Sequence, residues 1–303
     1  MKTRILVPLD GSPLAEQALS GAITVGRGLS AELVLFRAVH LPRGAGSYVD
    51  VATAEEGEWL GQLEAEAETY LRQIGDQVHS AGPSVQIVVH HGPAAETIVD
   101  YAEQADIGQI IMATHGYSGI RRWTHGSVAE RVLQAASVPV LLVRAREQDA
   151  EVFQQLMLCR RILVPLDGSD IAEQVLPQVR PLARAIGAEV VLLRVAVEQP
   201  ATMISGDWFF VPGNDEFEDE EQKAQVYLDD VAASLRGEGI QVSTATAVGP
   251  VAGTIIDYAQ ANHIDLIAMC THGRTGLARW AFGSVADKVL RAGGTPILLV
   301  RAC

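Results

Sequence analysis

The chain reads as an α/β protein made of two tandem, doubly wound domains, each a parallel sheet with helices on both faces. Short apolar runs that look like buried strands alternate throughout with stretches whose apolar residues recur at helical spacing, which is the pattern of βα units. The nonapeptide RILVPLDGS stands at residues 4–12 and again at 161–169, an offset of 161 − 4 = 157. The same offset relates Ala31-Glu32 to Ala188-Glu189, Gly92-Pro93 to Gly249-Pro250, His115 to His272, Gly126 to Gly283 and Pro139 to Pro296. Two copies of so long a unit make a pair of domains and not a solenoid. With 303 residues to divide, the expected boundaries are a first domain over 1–146, a linker over 147–159 and a second domain over 160–303.

In the first half, residues 5–9 form an apolar strand, and Ser12 with Pro13 supplies an N-cap and a first-turn proline for a helix to about Gly28. Residues 33–39 are the next strand. A Gly-bearing loop over 41–58 leads to Leu60, Leu63, Ala67, Leu71, Ile74 and Val78, an i, i+3/i+4 stripe on a long helix that Gly82-Pro83 ends. A strand over 85–89, a helix over 95–104, a strand over 110–113, a helix over 127–135 and a strand over 138–143 complete the unit. The second half repeats the order. Residues 198–221 depart most from their counterpart, with Trp208-Phe209-Phe210-Val211 and an acidic run over 215–221. That segment reads as a loop with a few apolar residues tucked down and a solvated charged face.

Hydrophobic residues make up 48% of the chain and charged residues 20%, enough apolar material for real cores. A formal charge of −14 disfavours a sequence-independent grip on nucleic acid or an anionic membrane. Cys159, Cys270 and Cys303 are odd in number and far apart, giving neither a disulfide framework nor metal-ligand spacing. No signal-peptide pattern opens the chain and no apolar run is long enough to span a bilayer, so a cytoplasmic location is expected.

The stretch with most chemical promise is Thr114-His115-Gly116, nine residues, then Gly126-Ser127-Val128-Ala129-Glu130. It follows an apolar strand and precedes a helix. Ser127 with Glu130 reads as a capping box, and the backbone N–H groups of such a helix start make a ready anion site. Thr271-His272-Gly273, nine residues, then Gly283-Ser284-Val285-Ala286-Asp287 repeats the arrangement. Asp10 and Asp167 each lie just past a first strand, where ligands of open parallel sheets bind. Asp-Gly is also an ordinary turn dipeptide, and the recurrence is what argues for more than a turn.

These residues together resemble the universal stress protein family, in tandem. VPLDGS, the Gly-Pro before the third helix, the Thr-His-Gly loop with Gly-Ser, and the closing VPVLLVR carry the likeness over nearly the whole chain outside the linker and the 198–221 insert. The resemblance implies a five-stranded sheet of order 3-2-1-4-5, pairing through fifth strands and, in many members, an ATP site. That site has the pattern Gly, two residues, Gly, nine residues, Gly, then Ser or Thr. The later glycines match as Gly116 with Gly126-Ser127, and as Gly273 with Gly283-Ser284. The first does not, for Ala113 and Cys270 stand in its place. If the backbone there needs a positive φ or close approach to phosphate, Cys270 intrudes more than Ala113, which favours the first half. By the same matching Asp10 and Asp167 contact the ribose, and Ala38 and Val195 present a main-chain group to the adenine. Pro8, Met112 and Val128 line the cleft, as do Pro165, Met269 and Val285.

His115 and His272 read as turn residues, and His90 and His91 face opposite sides of a strand, a poor metal pair. Arg121, Arg122, Arg274 and Arg279 lie in the nine-residue loops, as do Trp123 and Trp280. There is no GxxxxGK[ST] loop, no carboxylate evidently set to orient an attacking water, and no Ser-His-Asp order. The reading is an adenine-nucleotide sensor or switch, binding ATP with a neutralising cation such as Mg²⁺, with slow hydrolysis at most, and acting on a protein partner. The tandem forms an intrachain pseudo-dimer, and further homodimerisation is left open. The alternative is a nucleotide-independent interaction protein of the same fold.

Overall fold

The computed structural model describes residues 4–40, 54–114, 127–144, 159–196, 214–271 and 283–302. They fall into two compact units, Met1–Leu158 and Cys159–Cys303. The first runs β1 (Arg4–Pro8), α1 (Pro13–Glu16), α2 (Ala18–Leu29), β2 (Glu32–Val39), α3 (Ala54–Ser80), β3 (Val85–His91), α4 (Ala94–Gln104), β4 (Gln109–Ala113), α5 (Ser127–Ala135) and β5 (Val140–Val143). The second runs β6 (Arg161–Pro165), α6 (Asp170–Glu173), α7 (Leu176–Ile186), β7 (Glu189–Ala196), α8 (Asn214–Gly237), β8 (Val242–Val248), α9 (Val251–Ala261), β9 (Leu266–Cys270), α10 (Ser284–Ala292) and β10 (Ile297–Val300).

Every strand pair within a unit is parallel, in the order β3-β2-β1-β4-β5 and β8-β7-β6-β9-β10. A parallel sheet needs helical crossovers, and right-handed ones place α2 and α3 on one face and α4 and α5 on the other. The central strands are accordingly apolar without alternation. Ile5, Leu6, Val7, Leu33, Val34, Leu35, Phe36, Ile110, Ile111, Leu141 and Leu142 are all fully or almost fully buried. The faces can be told apart on β2 itself, where Phe36 packs on Tyr101 of α4 while Arg37 stacks on Tyr70 of α3.

Arg4 explains why the repeated nonapeptide starts with arginine. Its Nε meets Glu32 Oε2 at 3.2 Å and its Nη1 donates to the Ala105 carbonyl, which ties the amino ends of β1 and β2 to the end of α4. Arg161 repeats this with Glu189 at 3.0 Å and the Asn262 carbonyl.

Three expectations are corrected. The first crossover is two helices and not one, with Gln17 between α1 and α2. α3 begins at Ala54, inside the expected 41–58 loop, because its apolar stripe marks only the part of the helix that packs and not where the helix starts. The acidic run over 215–221 is not loop but the opening turns of α8. Carboxylates suit the positive end of a helix dipole as well as they suit solvent, so an acidic run by itself does not mark coil. The Trp208 to Val211 segment lies outside the described residues, as do Arg121, Arg122, Trp123, Arg274, Arg279, Trp280, His115 and His272.

Candidate functional site

β1 leaves the sheet at a defined rung: Leu9 N–H donates to the Phe36 carbonyl at 2.8 Å, and β1 has no further partner on β2. Next comes Asp10, whose Oδ1 accepts from Ser12 N–H at 2.9 Å and from Ser12 Oγ at 2.6 Å. Ser12 Oγ in turn accepts from Ala15 N–H at 3.1 Å, capping α1. Gly11 between them has φ +86 and Gly168 has φ +80, a conformation in which a Cβ is strained. The second unit reproduces the turn, with Asp167 Oδ1 accepting from Ser169 N–H at 3.0 Å and Ser169 Oγ at 2.6 Å. Asp10 and Asp167 therefore do build a turn, and the same contacts fix where each carboxylate stands.

That position is the switch point of the sheet, since β1 pairs with β2 on one side and β4 on the other, and β6 likewise with β7 and β9. The main chain of β2 has a consequence here. Phe36 presents its carbonyl toward β1, Val39 presents its carbonyl toward Gly92 after β3, and successive residues alternate. Ala38 thus aims its N–H and C=O toward the side on which β1 has already ended. In the second unit Leu193 receives Leu166 N–H and Ala196 receives Gly249 N–H, which puts Val195 in the same place.

The remaining cleft residues collect at the same carboxyl end. Pro8 and Pro165 close β1 and β6, and both are half-buried. Met112 and Ala113 close β4, Met269 and Cys270 close β9, and all four are buried. Val128 and Val285 are half-buried one residue into α5 and α10. Gly116, Gly126 and Gly273 lie outside the described residues. Ser127 and Ser284 are each the first residue of their helix.

In the second unit the capping expectation is corrected. Gly283, with φ −66 and ψ 150, is the N-cap and supplies no side-chain cap hydrogen bond, and Ser284 is exposed. Asp287 instead receives Arg291 Nε at 2.8 and 2.9 Å. The first-turn amides of α10 are left without an intrahelical partner, as at any uncapped helix start. Gly283 N–H itself donates to the Thr271 carbonyl.

Ala113 and Cys270 pair in register with Val143 and Val300, and neither has a positive φ. The strand backbone accepts a Cβ there without strain, so the effect of these residues on a ligand is one of room alone. His91 Nε2 lies 3.3 Å from Glu64 Oε2, whereas His90 stacks on Phe36 and meets Tyr101 edge-on. Among the described residues no group of three or more His, Cys, Asp and Glu is placed to hold a metal, and no helix is long and apolar enough to cross a membrane.

Sequence reasoning passed over three side chains that the structure gathers behind the Asp-Gly-Ser turn. Arg37 stacks on the Tyr70 ring, 5.1 Å from its centroid, and Tyr70 OH donates to Glu16 Oε1 at 2.9 Å. Arg194, Tyr227 and Glu173 repeat this with 5.4 Å and 2.9 Å. The available signal was their shared offset: 173 − 16, 194 − 37 and 227 − 70 all equal 157.

Comparison with known proteins agrees with this architecture. The model of the universal stress protein family matches twice, over residues 1–144 and 159–301, and the chain belongs to that family. It is 30% identical over 146 residues to the universal stress protein MJ0531 of Methanocaldococcus jannaschii, a match covering 48% of this chain and 83% of that one. To YxiE of Bacillus subtilis it is 31% identical over 151 residues, covering 48% and 100%. A universal stress protein from Archaeoglobus fulgidus superposes with a TM-score of 0.68 at 19% identity, over 99% of this chain and 96% of that one, which is likeness of fold.

Proposed function

We propose that the protein is a stress-response sensor or switch that binds ATP or a related adenine nucleotide at the carboxyl ends of its strands, with the first unit as the tighter site. The observation that carries the reading is the convergence at one switch point of an oriented carboxylate, Asp10, and the outward main chain of Ala38. The donor set suits the ligand: a carboxylate accepts from ribose hydroxyls, a main-chain N–H and C=O pair with an adenine edge, and helix-start amides face phosphate. No protein metal cage is needed, because a cation on the triphosphate is held by the phosphate oxygens with water. Binding supplies the switch; the fate of the γ-phosphate is secondary.

Calorimetry of the full chain with MgATP tests this. Binding should be detectable, and ATP at about 100 times Kd should stabilise the fold by about 2.7 kcal/mol through mass action. Asp10→Ala should weaken the tight site by roughly tenfold or more, the effect of losing hydrogen bonds to a charged acceptor. Absence of both heat and thermal shift at millimolar ATP would refute the reading.

The side chains at Ala113 and Cys270 favour one other reading, a nucleotide-independent interaction protein. Mass spectrometry of the supernatant after denaturing freshly purified protein separates the two, since released adenine nucleotide fits only the first.

A further inference from the structure

The residues behind the Asp-Gly-Ser turn form a closed circuit. From the turn the chain enters α1, whose last residue is Glu16; Glu16 accepts from Tyr70 OH; the Tyr70 ring carries the Arg37 guanidinium; and that guanidinium returns to the turn. Its contact there is Gly11: a Cβ at that residue would lie 3.2 Å from Arg37 Nη1 and 3.3 Å from Nη2. The circuit therefore connects α1, α3 and β2 to the one glycine that adjoins Asp10. We propose that Arg37 and Tyr70 in the first unit, and Arg194 and Tyr227 in the second, are positioning residues that hold the Asp10 and Asp167 carboxylates for ribose recognition; this rests on the nucleotide reading above.

The chemistry of each member suits the role. Arginine is planar and stacks on a ring while covering a flat backbone turn, which a lysine ammonium does not do. Tyr70 stays a donor because burial above all, and then Glu16, raise its phenol well beyond the ordinary tyrosine range; Tyr227 is raised in the same way by burial and Glu173. Some neighbours change between the halves, Ala38 to Val195, Thr69 to Val226 and Arg72 to Asp229, while others, Gln17 as Gln174 and Leu71 as Leu228, are kept. The circuit is kept whole through the duplication, as Glu173, Arg194 and Tyr227.

The test uses the full chain with both units altered alike, as Arg37→Met with Arg194→Met and, separately, Tyr70→Phe with Tyr227→Phe, each checked for an unchanged far-ultraviolet spectrum. The phenylalanine pair retains the stack and cuts only the link to glutamate, so it serves if the methionine pair misfolds. Affinities are measured for MgATP and for its 2′,3′-dideoxy analogue. The parent should prefer ATP by about tenfold or more, and the variants should compress that preference to about threefold or less while holding the analogue as the parent does. A second readout needs no ligand: exchange of the Ser12 and Ser169 amide protons, held by the aspartates, should speed up by about fivefold or more, with Leu6 and Leu163 unaffected. An unchanged ATP preference together with unchanged exchange in a folded variant overturns the proposal. A parent that binds neither nucleotide overturns the nucleotide reading, and the clamp is then judged by the exchange rates alone.

Discussion

Cys159 shows how burial sets the chemistry of a single atom. The thiol is buried, and desolvation, with the Asp265 carboxylate adding to it, pushes its pKa up to about 12. The same Asp265 accepts from the Arg160 and Arg161 amides at 2.7 and 3.0 Å, so the charge is fixed next to the thiol. A pKa raised above its unfolded value near 9 means that the folded state keeps its proton longer. Stability from this group is complete below about pH 9 and is lost progressively as pH rises toward 12. Two outcomes are expected. Iodoacetamide at pH 8 should label Cys159 at the rate of unfolding, and the urea midpoint should fall between pH 8 and 10.5 by less in Cys159→Ala than in the parent. Rapid native-state labelling of the Cys159 peptide would contradict the burial argument.

At the scale of elements, the β1–α1 turn joins sheet, helix and candidate ligand through one hydroxyl. Ser12 Oγ caps α1 and donates to Asp10, so Ser12→Ala removes both contacts. The expected loss is about 1 kcal/mol in urea unfolding, with a weaker response to ATP than the parent shows. A loss of stability with a full ATP response would separate the cap from the site. The strands were legible because buried parallel strands are continuous apolar runs, and Ser12-Pro13 announced α1 by chemistry local to the chain. Residues 215–221 misled because an acidic run suits solvent and a helix start equally, and only the position of α8 decides. Ser284 misled by one residue for a related reason: Gly283 and Ser284 both suit a cap, and tertiary geometry chose the glycine. Asp10, Pro8 and Met112 could be placed at the strand ends from pattern alone. Arg37, Tyr70 and Glu16 could not, since contacts across 54 and 33 residues leave no local trace beyond their recurrence in the second half.

At the scale of the whole molecule, duplication supplies two candidate sites whose differences can be weighed. The second places Cys270 where the first has the smaller Ala113. That difference removes room from a phosphate, and one hydrogen bond to a charged group lost to crowding is worth about a factor of ten. MgATP titration should therefore resolve two classes of site, the weaker by about tenfold or more; Asp10→Ala should abolish the tight class, and Asp167→Ala should leave it intact. Cys270→Ala should draw the classes together. The charge of −14 acts on both classes, because a net negative protein repels a free triphosphate. Magnesium should accordingly strengthen binding more at low ionic strength than at high, where screening over about 8 Å at physiological salt already blunts the repulsion. Two sites of equal affinity, or an order reversed between the halves, would place the discriminating contact elsewhere than at Cys270.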